Sequence, residues 1–410
     1  MGLTTGCVGT RLRPASETRD RAFISYKPRP EGSTALRLAV KDLIDVKGEV
    51  TSAGSEYLAR NSPPAARDAE CLALARQRGV HIVGKTNVSE FAASVSGINA
   101  YFGTPKNRLK GRLIPGGSSS GSAVAVANGL ADVSFGTDTA GSIRVPAACC
   151  GITGLKTTFG LVSLKGVFPV SPKHLDTVGP MAKDIRRLVE GMDLLQGGFA
   201  GRYEAAVAAS PSGRSIKIGR LYVDGTDSEI DRAVDDALAK AGFRVVVLDK
   251  NFEKKWNQAQ SDAETVAMAD TWQNDEKYTG VNGVGLMTKA VIALGKLEYE
   301  TKYKDALKRQ RQWKRDVNRV LQKVDFIALP TLRMRTPKLP LWGKDPLFEI
   351  RVLNRQNTAP VNLAGVPALA LPIPLVVDGK TVSLTSLQLV GRPLSEARLL
   401  NAGRIVESKL

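Results

Sequence analysis

Two loops of glycine and serine, set inside apolar sequence, constrain this chain more than any other feature. The first runs Pro115-Gly116-Gly117-Ser118-Ser119-Ser120-Gly121-Ser122. The second runs Gly136-Thr137-Asp138-Thr139-Ala140-Gly141-Ser142-Ile143-Arg144-Val145-Pro146-Ala147. Either alone reads as a flexible surface loop. Their flanks argue against that, because an Ala/Val-rich helical stretch from Ser122 to Asn128, stopped by Gly129, joins them and Cys149-Cys150-Gly151-Ile152 follows. Polar backbone enclosed by core sequence must find partners for its N–H and C=O groups, and that is the habit of binding loops.

Around these loops, strand-like and helix-like segments alternate. Leu36 to Val40 reads as a strand leading into Lys41-Asp42. Residues 67–78 form a helical pattern closed by Gly79, and Val80 to Val83 reads as a buried strand. Ile216 to Val223, residues 228–241 and Phe243 to Leu248 make a strand–helix–strand unit of the kind that builds parallel sheets. Residues 252–325 look mainly helical, and strand-like runs return at Phe326 to Leu329, Pro367 to Ile373 and Val382 to Val390. The expected fold is therefore α/β: a single large domain with a central mixed, mostly parallel β-sheet covered by helices on both faces. Residues 1–30 read as an irregular arm and 31–410 as the domain, split into a core (31–195), a variable helical region (196–325) and returning strands (326–410).

Composition removes several function classes. With 410 residues, 43% of them hydrophobic, the chain can bury a sizeable core without staples. Only two histidines, His81 and His174, and four cysteines, two of them adjacent, leave no metal-ligand spacing and no disulfide framework, so no metal or other cofactor is expected. The formal charge of +18 would suit nucleic acid, an acidic membrane surface or anionic substrates. Its densest stretch, Lys302 to Lys323, interleaves cations with Tyr303, Leu307, Trp313, Val317 and Val320 at helical steps. That pattern is an amphipathic helix with a solvated basic face, and without an RNA-binding motif no nucleic-acid partner is expected. No apolar run approaches the roughly 20 residues needed to span a membrane, so no transmembrane segment is expected; the chain is taken as a cytoplasmic monomer or homodimer. Thr4-Thr5-Gly6-Cys7 faintly resembles a lipoprotein cleavage site, and Ser408-Lys409-Leu410 matches a peroxisomal address.

Three motif readings compete for the chemistry. Gly79-Val80-His81-Ile82-Val83-Gly84-Lys85-Thr86 matches a phosphate-binding loop in letters only, since a helix precedes it and its interior wants to be a strand. Gly117-Ser118-Ser119-Ser120-Gly121 matches a nucleophile elbow centred on Ser119, but the only downstream histidine, His174, comes too early for a triad that closes near the end of such a chain. The third reading uses both loops together.

In order and content, the two loops resemble the signature of the amidase signature family. Val40-Lys41-Asp42-Leu43-Ile44-Asp45-Val46, Gly84-Lys85-Thr86-Asn87, Gly154-Leu155-Lys156 and Leu175-Asp176-Thr177-Val178-Gly179-Pro180 are similar to further landmarks of that family, as are Leu329-Pro330-Thr331 and Asn362-Leu363-Ala364-Gly365-Val366-Pro367. The resemblance is strong over residues 36–190, moderate over 325–395 and absent between. Ser120 and Ala140 stand where glycine is commoner, and Thr157 where proline is.

The resemblance implies an amidase with Ser142 as nucleophile, Ser118 as bridging serine after a cis peptide bond, and Lys41 as general base. It implies an oxyanion hole from the backbone N–H groups of Thr139, Ala140, Gly141 and Ser142. A serine hydroxyl needs a base to attack an amide, and a lysine serves only when burial keeps it neutral. Asp138 and Arg144 read as braces of the loop, Asp176 as a turn brace, and Lys85 and His174 as structural or solvent-facing. The implied substrates are small amides, anilides or carbamates. Two alternatives stay open: the amidase component of a tRNA-dependent amidotransferase, and a basic nucleic-acid-binding protein with a vestigial site. Val95 to Tyr101, Trp272, Trp313 and Trp342 are candidate pocket walls that read more naturally as core.

Overall fold

The computed structural model describes residues 19–109, 112–340 and 346–410; the Cys7 motif and Trp342 lie outside them. Among the described residues, ten strands form one sheet: β1 (Arg37–Lys41), β2 (His81–Thr86), β3 (Val133–Asp138), β4 (Thr153–Lys156) and β5 (Thr177–Ala182), then β6 (Lys217–Arg220), β7 (Arg244–Val247), β8 (Phe326–Pro330), β9 (Ala368–Val377) and β10 (Lys380–Val390). Their spatial order is β2-β1-β3-β5-β4-β9-β10-β8-β6-β7. Parallel pairing occupies the two flanks, β2-β1-β3 and β8-β6-β7. Five consecutive antiparallel pairs cross the middle, from β3 through β5, β4, β9 and β10 to β8. The mixed sheet is as expected, and the parallel share of it sits at the edges. The β6–β7 unit is parallel, as its strand–helix–strand pattern requires, and β7 is exposed along its length as an edge strand.

Strand alternation sends side chains to opposite faces, each of which meets its own helices. Leu38 and Val40 join one core with Phe326, Ala328, Leu369 and Leu371. That core is closed by α2 (Ala73–Gln77), α5 (Ile185–Leu195), α6 (Phe199–Ala209), α7 (Ser228–Lys240) and α13 (Glu396–Glu407). Ala39 and Ala370 face the other way, onto α3 (Ser120–Ala127) and α4 (Arg144–Cys150). Ile327, Leu329 and Ala368 meet α8 (Lys250–Asp275), α10 (Tyr303–Leu321) and α12 (Ala359–Ala364) on that same side. The remaining helices are α1 (Glu56–Asn61), α9 (Leu286–Thr301), packed on α8, and α11 (Pro346–Leu353).

Local departures from the sequence reading have clear causes. The helical pattern over 67–78 condenses to a 3-10 turn at Glu70–Leu72 followed by the short α2. Within the arm, Ala22, Phe23 and Ile24 are buried, and Phe23 bridges to Thr86 beside β2. His81–Thr86 is strand rather than phosphate loop, and its Lys85 is buried against Asp42 at 2.9 Å. On α10 the apolar stripe of Ala306, Trp313, Val317 and Leu321 is buried and the cations lie on the outer face. Cys71, Cys149 and Cys150 are free and buried. Among the described residues no helix is long and apolar enough to cross a membrane, and no cluster of metal-ligating side chains occurs.

Candidate active site

Lys41 closes β1 and, two residues after Ala39, points to the α3 side of the sheet. There its Nζ lies 2.7 Å from Ser118 Oγ, 2.7 Å from Thr137 Oγ1 and 3.4 Å from the Thr137 carbonyl. Lys41 and Ser118 are both fully buried. Ser118 sits two residues before α3, after a cis Gly117–Ser118 peptide bond. The segment 89–97 packs so tightly on Gly117 that a Cβ there would lie 2.6 Å from the Ser94 carbonyl. Glycine is required at 117 by this close approach.

Burial is the main influence on Lys41. It lowers the ammonium pKa to about 7, against the opposing charges of Asp138 and Asp176. A neutral amine has two hydrogens and one lone pair. The hydrogens can go to the two Thr137 oxygens, leaving the lone pair for the Ser118 hydroxyl proton.

Ser142 lies in the turn between β3 and α4 and is partly exposed. The Ser119 N–H donates to its carbonyl at 3.2 Å, which fixes the two serine loops side by side. Its hydroxyl makes no hydrogen bond among the described residues. The expected Ser142–Ser118 hydrogen bond is therefore absent here, while Lys41–Ser118 is formed.

The turn around Ser142 has a marked asymmetry of hydrogen bonding. The N–H groups of Thr139, Ala140, Gly141 and Ser142 donate to no acceptor among the described residues, whereas those of Ile143 and Arg144 go to Asp138 Oδ2 at 3.1 and 3.4 Å. Thr139 contributes its hydroxyl, which donates to Asp176 at 2.6 Å. Four adjacent unpaired amides around a serine are suited to hold a developing oxyanion. Gly141 has φ +137, and a Cβ there would lie 2.2 Å from Thr358 Oγ1.

A buried polar network holds this turn from below. Arg144 meets Asp138 with two bonds, Nη2–Oδ1 at 2.9 Å and Nε–Oδ2 at 3.1 Å, both side chains being inaccessible. Arg144 also donates to Gln388, Asn362 and the Thr358 carbonyl. Burial alone would push the Asp138 carboxyl up; the Arg144 charge and hydrogen bonds outweigh it and hold the group at about 2. Asp138 and Arg144 thus brace the loop. Thr137, Thr358 and Gln388 were not legible as site residues. Asn362 lay inside a recognised landmark without a role, and Thr137 inside the second loop itself.

The candidate pocket walls divide: Asn99, Ala100 and Tyr101 line a cavity of about 250 Å³, whereas two of the tryptophans are packed elsewhere. Trp313 is core, its indole N–H donating to the Pro360 carbonyl at 2.7 Å, and Trp272 packs on Tyr299. A cavity of about 460 Å³, lined by Asp45, Thr51, Phe168 and Tyr278 among others, includes none of Lys41, Ser118 and Ser142.

A buried lysine–serine pair beside a turn of free amides is a constellation able to activate a nucleophile and to hold an oxyanion. The chain belongs to the amidase family, the amidase signature enzymes, whose family model matches residues 34–400. It is 34% identical to the glutamyl-tRNA(Gln) amidotransferase A subunit of Halobacterium salinarum over 90% of this chain and 94% of that one. The counterpart from Natronomonas pharaonis is 33% identical, over 93% of this chain and 98% of its own length. Among crystal structures, the glutamyl-tRNA(Gln) amidotransferase A subunit of Thermotoga maritima superposes with a TM-score of 0.79 at 25% identity, covering 97% of this chain and 88% of that one. An amidase superposes at 0.77 and 28% identity, over 92% and 84%.

Proposed function

We propose that this chain cleaves a C–N amide bond through an acyl-enzyme on Ser142, with Ser118 passing the proton and Lys41 acting as general base. The observation that carries this reading is the 2.7 Å contact between a buried, readily neutral lysine amine and the Ser118 hydroxyl. In the first step Ser142 Oγ adds to the substrate carbonyl carbon. Its proton passes to Ser118 as the Ser118 proton passes to Lys41, leaving an ammonium. The carbonyl oxygen becomes an anion held by the N–H groups of Thr139, Ala140, Gly141 and Ser142. The ammonium proton then returns through Ser118 to the leaving nitrogen as the C–N bond breaks. Water repeats the sequence to free the acid. Each oxyanion donor is worth about 2.7–4 kcal/mol in such sites.

Two readings of the substrate differ in what becomes of the nitrogen. In one, a small amide, anilide or carbamate is hydrolysed and its amine released. In the other, the chain is one component of an amidotransferase, and its released ammonia is used by a partner acting on aminoacyl-tRNA. The identities of 34% and 33% to amidotransferase A subunits over nearly whole chains favour the second over a stand-alone small-amide hydrolase.

The test is a covalent one. A fluorophosphonate probe should label the purified protein on Ser142, and Ser142→Ala should abolish labelling and turnover of amides, anilides, carbamates and glutamine alike. An adduct on any other residue, or wild-type turnover by Lys41→Ala, would overturn the mechanism. Glutamine-dependent ammonia release that appears only with an added partner protein would choose the amidotransferase reading.

A further inference from the structure

The charged groups around Lys41 are not equivalent. Asp138, on β3, is neutralised by Arg144 through two hydrogen bonds and also lies in the field of Lys156 on β4. Asp42, next in the chain, is paired with Lys85 at 2.9 Å, both side chains being buried. Asp176, immediately before β5, is different. It is 4% exposed, and its partners are neutral: Thr139 Oγ1 at 2.6 Å on one oxygen, and the N–H groups of Val170 and Ser171 at 3.0 and 2.9 Å on the other. Among the described residues no lysine or arginine forms an ion pair with it.

Burial raises the Asp176 carboxyl above its ordinary value, and the three converging donors, with the Lys41 charge, oppose that rise and favour the ionised form. An ionised group left without a cation in a protein interior is costly unless something nearby carries the opposite charge. Lys41 meets Thr137 Oγ1 at 2.7 Å and Asp176 meets Thr139 Oγ1 at 2.6 Å, two residues further along the same chain segment, so the two charged groups flank one strand end and each feels the other. Asp176 is itself braced from the helical region. Ser171, whose N–H it receives, donates its hydroxyl to Asp270 on α8 at 2.5 Å, and the same carboxylate accepts from Tyr303 at 2.6 Å and contacts His174 at 2.8 Å.

We propose that Asp176 is a positioning residue with two linked roles: its carboxylate is the standing counter-charge for the Lys41 ammonium formed during catalysis, and through Thr139 it holds the oxyanion turn in register with that charge. The inference rests on the reading of Lys41 as the base. It assigns Asp176 no contact with substrate. When Lys41 takes the proton passed from Ser142 through Ser118, no new bond to Asp176 forms. The carboxylate stabilises the cation through space, in a dry environment where such a charge acts strongly.

Two variants separate this role from a purely structural one. Asp176→Asn keeps the shape and removes the charge. The Lys41 ammonium then loses support, so the acid limb of the kcat/KM profile should move to lower pH by about one unit. The rate on the plateau should fall at least about tenfold, because the ammonium is now less stable in the transition state. Thr139→Val keeps the charge and removes the tether, so the plateau should fall while the acid limb does not move to lower pH. Circular dichroism and thermal melts establish that both variants fold. A third variant, Asp176→Glu, restores the charge and should return the limb toward its wild-type position even if the plateau stays low. An Asp176→Asn limb superimposable on wild type, or one shifted to higher pH, would overturn the counter-charge role. Should Asp176→Asn fail to fold, Asp176→Ser, which also removes the charge, decides: a limb moved to lower pH supports the role, and one matching wild type overturns it. Failure of the Lys41 reading would show separately, as residual turnover in Lys41→Ala.

Discussion

The Thr358 hydroxyl donates to the Ala140 carbonyl at 2.6 Å across 218 positions of chain. This single bond joins the returning strands at the C-terminal end of the chain to the turn that carries the unpaired amides. With the Ala140 carbonyl so held, the following N–H groups have no freedom to turn inward and satisfy themselves. The free donors are thus a product of restraint from a remote segment.

Gly141 shows how little room this leaves. Gly141→Ala would place a Cβ 2.2 Å from Thr358 Oγ1 at a residue with φ +137. The turn must shift, and misaligned donors should lower kcat by at least about 100-fold, the scale of losing one oxyanion donor. Thermal unfolding should show a loss of about 2 kcal/mol or more. Near-wild-type activity in this variant would mean that the turn is not the oxyanion site.

Activity should switch on with deprotonation of Lys41. Its pKa of about 7, lowered chiefly by burial, places the acid limb of kcat/KM near neutrality. Below that pH the amine is an ammonium and cannot accept the proton, so the rate should fall about tenfold per pH unit. A profile flat from pH 5 to 9 with a rate-limiting chemical step would rule out a lysine base.

The same burial costs stability. The folded-state pKa of about 7 lies below the ordinary 10.5, so the unfolded chain binds the extra proton between these values. The penalty is full below about pH 7 and is relieved as pH rises toward 10.5. Lys41→Met, inactive, should be more stable than wild type at pH 7 by about 1–4 kcal/mol, a shift of several degrees in Tm, with the gain shrinking toward pH 10. Equal or lower stability at pH 7 would show that the bonds to Ser118 and Thr137 outweigh desolvation.

The Asp138–Arg144 pair makes the opposite prediction. Arg144→Met leaves a buried carboxylate without its cation and should cost about 3–5 kcal/mol by urea denaturation. In the wild type, Asp138 falls from an ordinary 3.8 to about 2 in the folded state, so it contributes stability that is complete above about pH 4 and lost as pH falls through 2. That term, about 2 kcal/mol, should vanish from the acid unfolding curve of an Asp138→Asn, Arg144→Met double variant.

Much of this molecule is written in local order. The two serine loops, the Ala/Val-rich α3 between them and the short apolar runs of β1, β8 and β10 name the family, the candidate serines and the strands without coordinates. The expected cis bond at Gly117–Ser118 is also present. Those features depend on neighbours a few positions apart, and a chain can carry them in its letters.

The charge state of Lys41 depends on something else. Its lysine neighbour in kind, Lys85, is just as buried and lies on the adjacent strand, yet it has Asp42 within 2.9 Å, while Lys41 meets only hydroxyl and carbonyl oxygens. The flanking motifs assign the two lysines different places in the family pattern, but nothing in either side chain says which amine is left without a carboxylate. Which buried amine finds a carboxylate, like which remote threonine reaches Ala140, is decided when the sheet closes, because desolvation and Coulomb energy depend on distance in space and not on separation along the chain.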